Sequence, residues 1–385
     1  MTATSLETLQ QSSLITVERI DDLAGLDALR EDWSDLLSAS DGDCLFLSWE
    51  WLRTWWRHLA GDRRLAMIAV RSRGLLIALA PLCARSVSIL GRRPLPVLEF
   101  LGTGWVGSDY LDFIVRRGYE AEAQRAFEST LATGGQVIDF AQMRKMGNFA
   151  GKVAASLANC GWRMVETISN TCPFIPLSGA TWESYLGSLG SEHRYNFNRK
   201  WKRLNKDHSV IFHRVDREEE CREAVDLTIQ LHRKRWSEHG KSDAFHTEAL
   251  IEFHREFCLL ALRRGWLRLY TLRVDEKPAA CLYGFLYNRI FYFYQSGFDP
   301  AYQKMSVGLV SMGLGIQSAI EDGAIEYDLL HGNEDYKSHW SRESRELSRL
   351  QLYPGSFRGV LAQKTNQWER GARKLARRSL QRWLA

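Results

Sequence analysis

The chain has 385 residues, of which 45% are hydrophobic and 25% are charged. This composition is typical of a globular protein with room for two domains, and it excludes disordered and collagen-like chains. No run approaches the roughly 18 apolar residues of a membrane-spanning helix, and the first twenty residues lack the pattern of a signal peptide. The seven cysteines are scattered without metal-binding spacing, which predicts reduced thiols, a cytoplasmic protein and no metal site.

In the first half, residues 1–15 are rich in Thr, Ser and Gln and are predicted to be disordered. The aromatic segment 46–61 predicts a helix that Ser48 caps at its start and Gly61 closes at its end. Two apolar runs joined by a Gly-containing turn then predict a hairpin. The remaining elements predicted here are the hairpin strands 65–70 and 75–83, strands at 97–101, 111–115 and 137–140, and a helix at 119–132.

The second half repeats the same order of elements about 200 residues later. Its predicted elements are helices at 219–239, 247–264 and 307–320 and strands at 266–274, 279–287, 291–296 and 325–330. Two copies of one α/β (α+β) domain are therefore expected, the first over residues 16–175 and the second over 176–355. The basic segment 191–208 lies between them and is either a solvated helix face or a cleft wall that meets an anionic substrate.

The stretch from Ile290 to Trp340 carries the clearest functional pattern. An aromatic, β-favouring run ends at Gly297 and Pro300, and an apolar segment with helical spacing follows a short loop. The N-terminus of that helix presents free backbone N–H groups and the positive end of the helix dipole. Such an end suits a phosphate or pyrophosphate.

These residues resemble the GCN5-related N-acetyltransferase (GNAT) fold. The segment Gln303–Gly308 reads Q-x-x-S-x-G, where that family usually has Q/R-x-x-G-x-G/A, so that Ser306 replaces the first glycine. Four further segments (WESYLGSLGSEHRYNFNRKWKRL, LHRKRW, GFDPAYQKMSVG and GNEDYKSHW) make the chain similar to the CelD/BcsL group of acetyltransferases, which is found with cellulose and other polysaccharide genes. That group is itself related to the Fem aminoacyl transferases, which carry two GNAT-like domains. The resemblance covers roughly residues 15–355.

The resemblance implies two tandem GNAT-like domains, each a central mixed sheet flanked by helices, with acetyl-CoA or another acyl-CoA as co-substrate. The backbone of the loop would hold the pyrophosphate, and N–H groups at the strand break would face the acyl carbonyl. The implied cofactor-binding residues are Gln295, Ser296, Gly297, Phe298, Gln303, Lys304, Met305, Ser306, Val307 and Gly308. The first copy has only Arg116-Arg117-Gly118 before its corresponding helix, so we expect the second copy alone to bind coenzyme A.

A polar segment follows the last predicted strand, at the carboxyl edge of the sheet where α/β proteins bind ligands. Its candidate catalytic residues are Asp328, His331, Glu334, Tyr336 and Lys337. The resemblance to the Fem proteins points to Tyr336 and Lys337, and a lysine there would stabilise developing negative charge. The alternative is a solvated charged loop anchored by Trp340, and a lone histidine is structural more often than catalytic.

Acceptor contacts are expected from the first copy and from the basic segment. The Gly107–Tyr110 loop is the leading candidate, and its Asp109 is either a base, a ligand of sugar hydroxyls or simply a turn-forming residue. The candidate substrate-binding residues are Asp109, Tyr110, Arg194, Asn198 and Trp236.

From Ser356 onward the chain has eight basic residues and one acidic residue. This segment, 356–385, predicts a basic amphipathic helix that contacts an anionic membrane, docks on the protein or binds nucleic acid nonspecifically. The function expected overall is direct acyl transfer from acyl-CoA to an amino or hydroxyl group of a sugar or polysaccharide precursor. The alternatives are a Fem-like, aminoacyl-tRNA-dependent transferase and a non-catalytic accessory protein of polysaccharide synthesis; specific nucleic-acid binding is otherwise not expected.

Overall fold

The structure is a computed structural model that describes residues 15–87, 95–237, 244–332, 334–356 and 359. The predictions for residues 1–15 and for the tail 356–385 fall almost entirely outside these ranges.

Helices and strands alternate along both halves of the chain. The elements of the first half are β1 (Ile15–Ile20), α1 (Leu23–Ala28), α2 (Arg30–Ser38), α3 (Trp49–Leu59), β2 (Arg64–Leu65), β3 (Met67–Ser72), β4 (Leu75–Ala80), β5 (Leu82–Val87), β6 (Leu95–Phe100), β7 (Ile114–Val115), α4 (Glu120–Ala132), β8 (Val137–Arg144), α5 (Phe149–Asn159) and β9 (Arg163–Pro176). Those of the second half are α6 (Trp182–Ser188), α7 (Ser191–Asp207), β10 (Val210–Arg214), α8 (Glu218–Ser237), α9 (Glu248–Arg263), β11 (Leu267–Val274), β12 (Lys277–Tyr287), β13 (Ile290–Phe298), α10 (Val307–Glu321), β14 (Glu326–Asp328), α11 (Asp335–Trp340) and β15 (Glu343–Tyr353). Two 3-10 helices, Leu45–Leu47 and Pro300–Met305, precede α3 and α10.

The described strands form one antiparallel sheet and one mixed sheet. One has four strands in the order β1-β3-β4-β7, and the other has eleven in the order β10-β11-β12-β13-β14-β9-β15-β8-β6-β5-β2. The predicted α/β class is therefore confirmed. Strand β15 lies between β9 and β8 and pairs antiparallel with both, so the last strand of the second half is hydrogen-bonded to strands of the first. The predicted domain boundary at 175/176 falls at the end of β9.

Among the described strands, each half contains one parallel pair, and a helix lies in the connection between its two strands. Strands β6 and β8 are parallel with α4 between them, and β13 and β14 are parallel with α10 between them. A parallel pair requires such a crossover, because the chain must return to the same edge before the second strand begins.

Two predicted strands are shorter than expected, and in each a carboxylate that accepts backbone N–H groups stands where the strand is cut short. The strand expected over 325–330 stops at Asp328, whose Oδ1 accepts the N–H of Leu330 at 2.8 Å while Leu330 adopts a left-handed φ of 54°. The strand expected over 111–115 is confined to β7, because Asp112 accepts the backbone N–H groups of Phe113, Phe149 and Ala150.

Helix α3 packs the two halves against each other through an aromatic cluster. Ser48 accepts the N–H of Trp51 at 3.3 Å, which confirms the predicted cap. The Trp51 ring meets Phe253 and Phe257 of α9 edge to face, at centroid separations of 4.9 and 4.7 Å. Edge-to-face contacts of this kind add to the stabilisation from apolar burial, so the halves are expected to hold a fixed relation. Among the described helices, none has the length and apolarity to cross a membrane.

Candidate active site at the opening between two parallel strands

The short strand β14 pairs over its whole length with the beginning of β13 only. Their register runs from Ile290 with Glu326 to Tyr292 with Asp328, after which β13 continues to Phe298 beside β12 alone. The β12–β13 register slips by one residue here, which makes Tyr294 a β-bulge. The opening between β13 and the segment after β14 leaves one edge of β13 without a strand partner among the described residues. Backbone N–H groups at such an edge are available to a ligand.

Two cavities lie on either side of this opening. The first, of about 480 Å³, lies at the start of α10 and is called the helix-side cavity. The second, of about 310 Å³, lies against the Gly104–Gly107 loop and is called the loop-side cavity. Four residues line both: Arg235, Phe293, Ser296 and Tyr336. The two cavities therefore meet at the point where the strands diverge.

The start of α10 forms one wall of the helix-side cavity. Ser306 caps the helix in a left-handed conformation with a φ of 59°, and its carbonyl accepts the N–H of Val310 at 3.1 Å. The N–H groups of Val307, Gly308 and Leu309 come before that first intrahelical bond and carry the positive end of the helix dipole. A Cβ on Gly308 would lie 3.4 Å from the Phe298 ring, which is an ordinary van der Waals contact.

Helix α7 forms the opposite wall. His193, Asn196 and Lys200 lie at helical spacing on its inner face, and the Lys200 ammonium donates to the Lys304 carbonyl at 3.1 Å. Within the described part of the chain, His193 Nε2 and Ser311 Oγ are buried without a hydrogen-bond partner. Burial lowers the pKa of His193, and the nearby His339 lowers it further. This cavity thus combines cationic groups with polar atoms that a ligand with many acceptors and donors would satisfy.

Most of the predicted cofactor-binding residues line the helix-side cavity. They are Ser296, Gly297, Phe298, Gln303, Ser306, Val307 and Gly308. Gln295 lines the loop-side cavity instead, and Lys304 and Met305 line neither. The structure therefore brings seven of these ten residues to one surface.

A buried aspartate and a histidine meet at the loop-side cavity. His331 lines that cavity, while Asp109 is 0% exposed behind it. Asp109 Oδ1 lies 2.8 Å from His331 Nδ1, and its Oδ2 accepts the His331 backbone N–H at 2.9 Å. Gln142 and Cys172 also donate to this carboxylate. The charge of Asp109 raises the pKa of His331 above its ordinary value, against the opposing effect of burial.

Lys337 and Glu334 complete the polar side of the loop-side cavity. The Lys337 ammonium contacts Glu334 Oε2 at 2.9 Å and the carbonyls of His331 and Leu330 at 3.0 and 3.4 Å. The ammonium is thus held by two hydrogen bonds to backbone carbonyls and by one ion pair. A Cβ on Gly332 would lie 2.7 Å from this ammonium, so glycine allows the turn to close around it.

The other predicted catalytic residues divide between cavity and interior. Tyr336 lines both cavities beneath the Arg235 guanidinium, and burial raises its pKa. Asp328 is 0% exposed and lines neither cavity; Tyr110 donates to its Oδ2 at 2.7 Å. Burial raises the pKa of Asp328 to about 6, and Arg345 opposes that shift.

The predicted substrate-binding residues are not brought together. Asp109 and Tyr110 lie behind the cavities, Arg194 donates to the Gly187 carbonyl at 2.8 Å, and Asn198 is exposed. The side chain of Trp236 lies outside the described part of the structure. Lining residues that sequence reasoning did not identify are Trp105, His193, Asn196, Lys200, Arg235 and His254. The i, i+3, i+7 spacing of the three on α7 was the available signal.

Comparison with known proteins finds a match to a family model within the second half of the chain. Residues 191–338 match the model of the acetyltransferase (GNAT) domain family. The match includes α7, both walls of the helix-side cavity and the polar segment from His331 to Lys337. No curated protein matches the chain in sequence.

Solved structures share the fold over most of the chain. A crystal structure of FemX is similar with a TM-score of 0.59 and 13% identity, over 86% of this chain and 96% of that one. The structure of L-PGS from Bacillus licheniformis is similar with a TM-score of 0.51 and 12% identity, over 90% of this chain and 96% of that one. A conserved protein of unknown function from Bacteroides thetaiotaomicron is similar with a TM-score of 0.52 and 12% identity, over 88% of this chain and 99% of that one. At these identities the likeness concerns the fold, and residues 191–338 carry the match to a GNAT acetyltransferase domain.

Proposed function

We propose that the protein is an acyl-CoA-dependent acyltransferase that moves an acyl group directly to an amino or hydroxyl acceptor. The observation that supports this most strongly is the meeting of two cavities at the opening between β13 and β14. One cavity has the cations and helix N-terminus that suit a phosphorylated donor, and the other has titratable side chains that suit proton transfer. Direct transfer requires both substrates to meet in this way, as the family match leads us to expect.

The residues of the helix-side cavity fit coenzyme A. The free N–H groups at the start of α10 and the Lys200 ammonium would hold the pyrophosphate, and His193 and Ser311 offer buried polar atoms without partners. When bound, acyl-CoA supplies the acyl group as an activated thioester. Arg235 would remain near the opening, where its guanidinium donates to Ser296 Oγ at 3.2 Å.

The acceptor would enter the loop-side cavity. Trp105 is 68% exposed at its rim, which is unusual for so large an apolar side chain and gives a flat surface for a sugar ring. A sugar or polysaccharide precursor is therefore the proposed acceptor class, in keeping with the resemblance to the CelD/BcsL group. A cytoplasmic protein with peripheral membrane contact through residues 356–385 would meet such precursors at the membrane surface.

One observation favours the alternative of an aminoacyl-tRNA donor. The outer face of α7 exposes four cations, Arg199, Lys202, Arg203 and Lys206. A row of exposed cations suits an RNA backbone. The inner face of the same helix carries Lys200, so substitutions on the two faces can distinguish the donors.

Calorimetry with coenzyme A tests the proposal. We expect binding that Lys200→Ala weakens about tenfold, as the loss of one charge-assisted contact of about 1.4 kcal/mol implies. Lys202→Ala is the matched control, because Lys202 is exposed on the same helix away from the cavity. Absence of binding at millimolar coenzyme A would overturn the proposal.

Thiol release from acetyl-CoA with glucosamine as a probe acceptor then tests turnover. Release that depends on the lining residues supports the enzyme. Binding without turnover, unchanged by Lys337→Ala, would instead favour the non-catalytic accessory role. Transfer from aminoacyl-tRNA that is weakened by Lys202→Ala and unaffected by Lys200→Ala would favour the Fem-like alternative.

A further inference from the structure

We propose that His331 is the base that accepts the proton of the acceptor, and that Asp109 is the positioning residue that fixes its ring. This inference deepens the proposed function and rests on it. The two residues are 222 positions apart and come from different halves of the chain, so the base would be assembled by the contact between the halves.

The contacts of Asp109 determine which nitrogen of His331 carries a proton. Both carboxylate oxygens are acceptors, and one of them lies 2.8 Å from Nδ1. In the neutral ring, Nδ1 must then hold the hydrogen, which leaves the lone pair on Nε2. The second oxygen accepts the His331 backbone N–H at 2.9 Å, so the residue is held at two points. A carboxylate that orients an imidazole in this way is the arrangement that other enzymes use for proton transfer.

The exposure of the two side chains separates their roles. The His331 side chain is 34% exposed and lines the loop-side cavity, whereas the Asp109 side chain is 0% exposed. Within the described residues, no protein group is hydrogen-bonded to His331 Nε2. An acceptor molecule can therefore reach the imidazole and cannot reach the carboxylate.

Titratable groups surround His331 from three parts of the chain. Asp109 lies on the loop before β7, and the Cys172 thiol on β9 donates to its carboxylate. Glu334, just before α11, and Lys337, within α11, approach from the other side. Asp109 and Glu334 raise the pKa of His331, while burial and Lys337 lower it. The effect of Asp109 is the largest, so the pKa of the His331 imidazole lies above its ordinary value of 6.5.

The step balances within the acyl-transfer reaction. His331 Nε2 takes one proton from the acceptor N–H or O–H as that nitrogen or oxygen forms a bond to the thioester carbonyl carbon. The carbon–sulfur bond then breaks, and the sulfur leaves with its electron pair. The imidazolium returns the proton to the sulfur, which gives a free thiol, an amide or ester product and a neutral His331.

Nitrogen-detected NMR of the full chain labelled at histidine tests the geometry without any substrate. The His331 signals are assigned by their loss in His331→Gln. We expect the neutral ring to carry its proton on Nδ1, with a pKa above 6.5 that Asp109→Asn lowers. Glu256→Gln is the matched control: it removes the carboxylate of another His–carboxylate pair, in which Glu256 Oε2 lies 2.6 Å from His58 Nε2, and should leave His331 unchanged. A proton on Nε2 in the wild type would overturn the proposal even if Asp109→Asn does not fold.

Kinetics tests the role of the base. Thiol release from acetyl-CoA is followed with glucosamine and, separately, with water as acceptor. We expect His331→Gln to lower kcat about 10²- to 10⁴-fold, the range for loss of a general base, while the affinity for coenzyme A changes less than about twofold. The wild-type kcat/KM should rise with pH through the His331 value measured by NMR. A loss of less than about tenfold would overturn the role of His331, whereas failure to bind coenzyme A would overturn the proposed donor and leave the NMR result standing.

Discussion

The two parallel pairs among the described strands are both joined by a connection that contains a helix, but the space beside one pair is open and the space beside the other is filled. In the second half, β13 and β14 separate after Tyr292 and Asp328, and the space beyond is open as two cavities. In the first half, β6 and β8 pair only at positions 97–98 and 137–138, and phenylalanines fill the space beyond. Phe100 stacks on Phe140 with ring centroids 4.4 Å apart, and Phe113 packs on both.

The crossover helices differ in charge as well. The first turn of α4 carries Glu120 and Glu122, which disfavour an anion at that helix N-terminus, whereas the first turn of α10 has no acidic residue. A helical crossover between parallel strands is therefore not enough to make a donor site; the space must be unfilled and the helix end uncompensated. This contrast supports the prediction that only the second half binds coenzyme A.

The largest expected effect comes from removing a phenylalanine ring from the filled space beside β6 and β8. Phe140 is 1% exposed, and Phe140→Ala should lower the free energy of unfolding by about 3–5 kcal/mol, since the cavity left behind adds to the lost burial. Urea denaturation measures this loss. Coenzyme A affinity of the folded fraction should not change; a new, second binding event would contradict the view that charge as well as space separates the two pairs.

The next effect concerns the residue at which the parallel pairing ends. This residue is Asp328 on β14 and Ile138 on β8. The folded-state pKa of Asp328 is raised to about 6, so its folded state binds more protons than the unfolded state between roughly pH 4 and 6. The wild type therefore loses stability across that window as pH rises, by on the order of 3 kcal/mol, and the loss is complete above pH 6.

Asp328→Asn removes this pH-dependent contribution. The free energy of unfolding of the variant minus that of the wild type should be larger at pH 7 than at pH 4.5, as measured by urea denaturation at both pH values. Equal differences at the two pH values would show that Asp328 is ionised without cost in the folded protein.

A smaller effect is expected where β13 approaches α8. A Cβ on Gly297 would lie 2.4 Å from the His232 backbone nitrogen, so Gly297→Ala must push the strand and the helix apart. Overpacking of this kind costs about 1–3 kcal/mol, which thermal unfolding will report. Gly308→Ala is the matched control, because its Cβ would make an ordinary 3.4 Å contact with Phe298. Similar melting temperatures for the two variants would contradict the close approach.

The smallest effect concerns the residue that enters each crossover helix. Gly118 has a φ of 86° one position before Tyr119, the residue that caps α4, whereas Ser306 itself caps α10 with a φ of 59°. A left-handed conformation disfavours residues with a Cβ, so Ser306→Gly should stabilise the protein by about 1 kcal/mol. Denaturant titration measures the gain, and calorimetry shows whether coenzyme A affinity changes with it. A loss of stability would mean that the serine side chain contributes a contact that outweighs the strain.

Local patterns predicted much of the fold. The cap of α3 at Ser48, the hairpin of β3 and β4, and the helices α4, α8, α9 and α10 follow from capping residues, turn residues and apolar spacing. Elements whose partners are distant were not predicted. Strand β15 is defined by its pairing with β8 and β9, which lie about 200 positions away, and its sequence has no strict alternation to reveal it.

The site divides in the same way. The loop Gln303–Gly308 was predicted because a phosphate cradle consists of consecutive residues with a helix behind them. One interpretation of the basic segment 191–208 is a cleft wall, and the substrate-binding residues predicted within it are Arg194 and Asn198. In the structure, His193, Asn196 and Lys200 of this segment line the cavity instead. Which residues of a helix face a cavity depends on how the helix is rotated about its axis against its partner. Charge alone does not specify that rotation.

The sequence by itself predicted the helix caps, the first hairpin and the long helices, and it placed the candidate phosphate-binding loop directly before α10, because each depends on residues close together in the chain. The tertiary structure decided that Asp109 lies behind His331, that Asp328 is buried with Tyr110, and that one parallel pair is open while the other is filled. The first two of these features depend on contacts between residues more than two hundred positions apart, and the third depends on packing between elements that are not neighbours in the chain, such as that of Phe100 on Phe140. Such contacts exist only once the two halves share a sheet and a core.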